Sequence, residues 1–430
     1  MATPASIIKR RLLRLVQLKE RELAPFLWSF LYFFAIMCTN YILRPLRDEI
    51  GIMSGVDNLK WVFTASFVVM LPMVPLFGWL TGRFHRARLL PLIYLFFAAN
   101  LLLFYLLFRS PLSGVWVGRA FFVWNSVFNL FVISIFWSFM ADLFTPEQAG
   151  RLFGAIAAGG SVGAVSGPLI TSLLATSIGP LNLLPICVAL LLLAVVCIKA
   201  LTKHVADGPS ASPSSNAKPR GQGLSGNICA GAVRVFRSPY LMGIVIFIFL
   251  YTTLSTILYF EQAHLIRDAF ASSGERTRIF SLMDLAVNIL TISAQLFITS
   301  RIVNRLGLSF ALAIIPLLLA AGLMFLGLFP LLPVILGLQI IRRAGNYAIT
   351  RPAREMLYTV VPIEDKYRSK NFIDTVVYRG GDVSSGWLFS GLKAVGLTLS
   401  AIALVAVPIS LLWVGVAWSL GKMKDHHPVT

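Results

Sequence analysis

The sequence predicts an all-α membrane protein of twelve transmembrane helices, arranged as two similar six-helix bundles. Three observations carry that fold class. Hydrophobic residues make up 57% of the 430-residue chain and its mean hydropathy is +0.80, more apolar than a soluble domain can hide. Runs such as Ala24 to Leu43, Leu89 to Phe108 and Leu308 to Phe329 reach the ~20 residues that cross a bilayer. Lipid tolerates only backbones that pair every amide internally, which makes such runs helices. Finally, Arg342 and Arg343 fall near the middle of the tenth run, where a charge is costly unless it faces a polar cavity.

In chain order, residues 1–22 hold Lys9, Arg10, Arg11 and Arg14 among Ile7, Ile8, Leu12, Leu13 and Leu15. This is the pattern of a basic amphipathic helix on the cytoplasmic face. No cleavable signal is expected, because the first apolar run is too long and carries Arg44 at its far end. Spans follow at 24–44, 60–80, 89–108, 115–139, 152–174 and 180–200, closing an N-terminal bundle over 23–201. Residues 202–237 include a Pro/Ser/Gly-rich stretch from Asp207 onward, a composition that builds linkers rather than cores. A C-terminal bundle over 238–421 takes spans at 240–260, 279–299, 308–329, 331–354, 374–394 and 396–420, and 422–430 form a tail.

Charge sets the expected orientation. With both termini inside, 23 of the 37 Lys and Arg residues fall on the cytoplasmic side, as topology rules require. Five more, Arg342, Arg343, Arg351, Arg354 and Arg379, lie within spans 10 and 11. The net charge of +19 is thus mainly a topology signal, with lipid attraction as a second use. Nucleic-acid binding is not expected.

Catalytic chemistry finds no support. The four cysteines (Cys38, Cys187, Cys197 and Cys229) lack metal-ligand spacing. No phosphate loop, H-E-x-x-H or nucleophile elbow occurs, and the histidines (85, 204, 264, 426 and 427) fall in predicted loops. The chain is read as a non-enzyme with no cofactor and no metal site.

The two halves repeat one another. Pro146-Glu147-Gln-Ala-Gly-Arg151 follows span 4, and Pro362-Ile-Glu364-Asp-Lys-Tyr-Arg368 follows span 10. Parallel halves of this kind place a transported substrate between them. Candidate substrate-binding residues are Arg44, Arg47, Asn125, Asn129, Asp284, Asn288, Arg343, Tyr347, Arg351, Arg354 and Arg379. Guanidinium forks suit phosphate and carboxylate, and they keep their charge at every relevant pH. Adjacent arginines diverge by 100°, and Arg343 shares a face with Tyr347, Arg351 and Arg354, so it is preferred to Arg342. Plainer readings stay open: Arg351 and Arg354 also fit snorkelling to the interface, and Arg379 with Asp382 also fits a structural pair. Asp284 and Asp382 are the coupling candidates. Arg83, Arg86, Glu147, Arg151, Glu364 and Arg368 are the candidate gate. Trp124, Phe136, Trp137, Tyr251 and Tyr259 fit either base stacking or packing.

The motif Gly78-x-Leu80-x-x-Arg83-x-x-Arg86-x-Arg88 resembles the loop 2–3 signature of the major facilitator superfamily, with Gly82 and His85 replacing its aspartate and glycine. Gly154, Gly163, Gly167 and Pro168 resemble its span 5 antiporter motif, with Thr171 in place of the last glycine. A narrower resemblance is to the ATP:ADP antiporter, or nucleotide transporter, family. It rests on Tyr41-Ile-Leu-Arg44-Pro-Leu-Arg47-Asp48, on Phe136-Trp137-Ser-Phe139-Met-Ala-Asp142, and on Arg354-Glu355 with Asp374 and Tyr378-Arg379. Arg47 and Asn125 depart from that family's lysine and acid. The resemblance implies the major facilitator fold and ATP binding with nucleotide antiport, in a bacterial inner membrane. The expected function is alternating-access exchange or uptake of a phosphate-bearing metabolite such as a nucleotide, by a monomer in the bilayer. The alternative is proton-coupled export of drug-like or lipid-like compounds.

Overall fold

The computed structural model describes residues 18–83, 86–206 and 228–425, and these contain no strand. The predicted N-terminal amphipathic helix and the Pro/Ser/Gly-rich stretch lie outside the described residues, apart from a 3-10 turn at Glu20–Glu22. Ten described helices are long and apolar enough to cross a membrane. They are α1 (Leu23–Met53), α2 (Leu59–Arg83), α3 (Arg86–Arg109), α4 (Val115–Leu143), α5 (Pro146–Leu174), α6 (Leu184–Ala206), α7 (Pro239–Ala269), α8 (Ser273–Phe297), α9 (Thr299–Leu328) and α12 (Leu399–Asp425). Two further helical stretches, α10 over 332–357 and α11 over 363–394, complete the order. Each is interrupted by a five-residue π turn, Asn346–Thr350 in α10 and Ile373–Val377 in α11.

Local sequence explains the ends. Thr145 and Gln148 form a reciprocal capping box at the start of α5, and Pro146 occupies the first helical position, where its missing N–H costs nothing. Gly307, at φ 81°, breaks α9 just before the span predicted at 308–329. Several helices run further than hydropathy predicts, α7 and α11 among them. Span 7 continues past Phe260 to Ala269 because its polar residues Glu261, Gln262 and His264 are all buried against protein rather than left in lipid. Span 11 begins at Ile363, through a polar decapeptide; there Asp365 receives Arg234 Nε at 2.6 Å from the short helix Ile228–Arg237.

The chain divides into two compact units. The first comprises 1–47, 79–218 and 273–285; the second comprises 48–78, 219–272 and 286–430. In the first, α3 packs on α6 and on α4. An aromatic core joins α1, α3 and α4: Phe33 stacks on Phe136 at 4.2 Å, and Tyr32 Oη donates to Tyr94 Oη at 2.7 Å. Trp124 packs among Phe97, Phe121 and Phe128, and Trp137 against Phe33 and Phe153, so packing occupies both rings. The small face of α5 lies on α1. A Cβ on Gly163 would come 2.5 Å from the Phe34 carbonyl oxygen, and one on Gly167 2.7 Å from that of Cys38. The span 5 glycines thus bring two backbones together, as small residues do in membranes.

In the second unit α9 packs along α12, and α7 lies against α10, α11 and α12. Gln295 Nε2 donates to the Tyr347 carbonyl at 3.4 Å, and Thr299 Oγ1 to the Ala348 carbonyl at 2.8 Å. The α8–α9 corner therefore supplies donors to carbonyls of the α10 π turn, an irregularity often found at functional sites.

Candidate substrate site and charged clusters

The first unit gathers five of the predicted binding residues on α1, α4 and the start of α8. Arg44 and Asp284 form an ion pair at 3.7 Å, with the Asp284 side chain 3% exposed. Arg47 is half-buried, its guanidinium 5.0 Å above the Phe122 ring. Asn125 is buried, its Oδ1 accepting no hydrogen bond among the described residues, and Asn129 lies partly exposed one turn on.

The second unit holds the rest. Arg343 and Tyr347 are partly exposed on α10 and Asn288 is buried on α8. Arg351 is exposed, whereas Arg354 pairs with Asp374 at 3.5 Å across the α10–α11 corner. Beside that pair, Lys370 Nζ donates to Glu355 Oε2 at 2.6 Å. Arg379 lies 3.8 Å from Asp382, whose Oδ1 also accepts from Thr256 Oγ1 at 3.3 Å. Both coupling candidates thus sit beside a guanidinium.

The buried arginine is Arg342, not Arg343. Its Nε and Nη2 donate to Gln339 Oε1 at 3.0 and 2.7 Å, and Nη1 donates to Ser255 Oγ at 2.8 Å and Tyr251 Oη at 3.4 Å. All of these partners are neutral, and among the described residues no carboxylate pairs with Arg342. Helical periodicity separates the two arginines correctly but cannot tell which face meets α7. Gln339, one turn before Arg342, was the available signal, because a buried amide on that face marks a polar contact.

Four of the candidate gate residues, Arg83, Glu147, Arg151 and Arg368, have described side chains. Arg151 pairs with Glu22 at 3.0 Å, and Glu22 also accepts from Gln148 Nε2 at 3.0 Å. Glu147 is exposed and makes no ion pair among the described residues. Arg83 reaches over the Trp79 ring at 5.6 Å, and Arg368 is exposed. The side chains of Arg86 and Glu364 lie outside the described residues. Glu22 was missed because it precedes the apolar run and reads as part of a solvated basic arm.

His264 is likewise not in a loop. It is buried on α7 beside Lys393 of α11 and Asp57 of the turn Val56–Asn58. Hydropathy ended the span too early to place it on a helix. Among the described residues no cluster of His, Cys, Asp and Glu is arranged to hold a metal.

Comparison with known proteins agrees with this architecture. No curated protein matches the chain. The fold is similar to a crystal structure of the nucleoside transporter NupG, with a TM-score of 0.63 and 14% identity over 95% of this chain and 99% of that one. It is also similar to the POT family transporter PepTSo, with a TM-score of 0.65 and 14% identity over 94% and 98% of the two chains. A peptide transporter POT in complex with sulfate gives a TM-score of 0.63 at 14% identity, over 93% and 95%. At such identity the likeness is one of fold. Residues 26–356 match the Major Facilitator Superfamily profile, and with its membrane-length helices this chain belongs to that superfamily and is a secondary transporter, not an enzyme.

Proposed function

We propose that this transporter exchanges or imports a small phosphate-bearing anion, with nucleotides the first class to test, by alternating access in a bacterial inner membrane. The observation that supports this reading is the Arg342 guanidinium, 5% exposed and, among the described residues, held only by neutral side chains. A buried cation without a counter-charge is costly, and an anionic substrate supplies that counter-charge each time it binds. Gln339, Ser255 and Tyr251 take four of its five N–H groups and leave the guanidinium pre-oriented, which lowers the ordering cost of a further charge-assisted contact. The motif resemblance to nucleotide antiporters points the same way. Asp284 and Asp382, each beside an arginine, fit charge balance in the apo state better than proton carriage for a drug-like cargo.

The test is a binding screen of purified protein against nucleoside mono-, di- and triphosphates, sugar phosphates, dipeptides and lipids, followed by counterflow in liposomes with the best binder. Saturable binding of a phosphate compound, lost in Arg342→Gln with the fold intact, is the expected result. Binding confined to uncharged or cationic compounds would overturn the proposal.

A further inference from the structure

A second charged cluster lies in the 48–78, 219–272 and 286–430 unit and takes no part in the substrate reading. His264 Nδ1 stands 2.7 Å from the Phe260 carbonyl oxygen. A carbonyl can only accept, so Nδ1 carries the proton there. His264 Nε2 is 2.8 Å from Lys393 Nζ. An ammonium can only donate, so Nε2 accepts, and the imidazole is the neutral Nδ1–H tautomer. Asp57 Oδ1 lies 3.3 Å from the same Nε2 and 3.4 Å from Lys393 Nζ. With Nε2 unprotonated, the imidazole and Asp57 have no hydrogen between them, and Lys393 bridges both.

A proton on Nε2 reverses these roles. The nitrogen becomes a donor, faces the ammonium as a like charge, and can donate only to Asp57. Protonation therefore exchanges a contact between α7 and α11 for one between α7 and the turn Val56–Asn58. The surroundings set the sign. The groups lining the adjoining cavity of about 310 Å³ are Asp57 on the turn, Lys60 on α2, His264 on α7 and Lys393 on α11, with Phe260 and Phe389 as apolar walls. Lys60 lies 5.1 Å from the Trp387 ring on α11 and adds a further cation. One carboxylate thus already faces two ammoniums, and a protonated His264 would be a third cation. Gly55, at φ 92°, opens the turn, and α11 ends just before Gly396, at φ 93°. Both are positive-φ positions that glycine adopts without strain.

We propose that His264, Lys393 and Asp57 form a proton-operated latch, in which protonation of His264 expels Lys393 and releases the end of α11. Charge distribution assigns Lys60 and Lys393 to the exterior, so the latch senses external pH. Imidazole is the side chain that titrates in that range. The device acts on the transport cycle whatever anion is carried, and it does not rest on the substrate reading.

The test places spin labels on Asn58→Cys and Ala394→Cys, in a background without the four native cysteines. Electron paramagnetic resonance then follows their separation in nanodiscs between about pH 8 and pH 5. In the otherwise wild-type protein the population of the separated conformer should rise about fivefold on acidification, the scale of one partly exposed charge contact. His264→Gln should abolish the response. Lys393→Gln should reverse its sign, because only the attraction of protonated His264 for Asp57 then remains. This variant keeps the proposal testable should His264→Gln not fold. A pH-independent separation in the wild type, an undiminished response in His264→Gln, or an unreversed one in Lys393→Gln would each overturn the proposal.

Discussion

Arg44 on α1 and Asp284 on α8 approach to 3.7 Å, so that a nearly buried carboxylate is held by a guanidinium from a distant part of the chain. Removing one partner of such a pair strands the other charge, at a cost of about 3–5 kcal/mol when both are fully buried. Arg44 is 26% exposed, so Asp284→Asn should lose less, about 1–3 kcal/mol. Thermal unfolding in detergent should show Arg44→Gln with Asp284→Asn less harmful than the sum of the single changes. A coupling of about 0.5–3 kcal/mol is expected. Additive losses would mean that the two charges act separately, and would return Asp284 to candidacy as a proton carrier.

The glycines of α5 make a contrast within one helix. At Gly163 an added methyl would meet the α1 backbone, whereas at Gly154 it would meet nothing within 4 Å. Gly163→Ala should destabilise by about 1–3 kcal/mol through overpacking. Gly154→Ala should be neutral or stabilising by up to ~1 kcal/mol through helix propensity. Melting temperatures of the two variants decide this, and equal losses would contradict the close approach of α1 and α5.

Arg151 is bound to Glu22 by two hydrogen bonds, at 3.0 and 3.3 Å. Both residues lie in the first unit, so the pair fastens the start of α1 to the start of α5. Glu22→Gln should cost about 1–3 kcal/mol, the range for hydrogen bonds to charged groups. Cysteine accessibility within the substrate pathway should stay unchanged. A large change in accessibility with unchanged stability would support the gate reading of Arg151 instead.

Glu261 is 1% exposed on α7, and its Oε1 makes no hydrogen bond among the described residues. Glutamine keeps the shape and breaks no contact, so Glu261→Gln should change stability by less than about 1 kcal/mol in either direction. Unfolding in denaturing detergent tests this, and a severe loss would reveal a partner that forms only in another conformation.

What was legible in the sequence follows the physics of each signal. Ten spans announce themselves because lipid demands long apolar helices. Spans 10 and 11 were placed despite five arginines between them, but their π turns were invisible: a π turn changes which carbonyls are free, not which residues are apolar. Charged faces were read correctly as faces, as with Arg379 and Asp382 at i, i+3. Partners across the fold were not legible. Glu22 with Arg151 and Asp57 with His264 join residues 129 and 207 positions apart, and no helical period relates such positions. Buried polar ends, as in Glu261 to His264, were mistaken for loop because hydropathy cannot distinguish exposure to water from burial against protein.

Arg342 and Arg343 are adjacent on α10, yet the structure gives them different tasks. Arg342 is clamped: Gln339 accepts from two of its nitrogens, and Tyr251 lies 5.9 Å beneath the guanidinium as a cation–π support. Lysine would keep the charge but could not reproduce the two-nitrogen contact. If the guanidinium fork itself holds the anion, Arg342→Lys should weaken binding of a phosphate ligand by about 10–100-fold, or roughly 1.4–2.8 kcal/mol. Gln339→Leu should produce a smaller loss of the same kind, because it removes the orienting acceptor and leaves the charge in place. Arg343 is more exposed, and its contribution should be chiefly electrostatic, so Arg343→Lys should lie within about threefold of the wild type, as for a partly screened charge. Isothermal calorimetry at two salt concentrations separates these cases, since a screened contribution fades with salt and a buried one does not. Equal losses in Arg342→Lys and Arg343→Lys, both relieved by salt, would show that α10 offers a diffuse positive field rather than a shaped site.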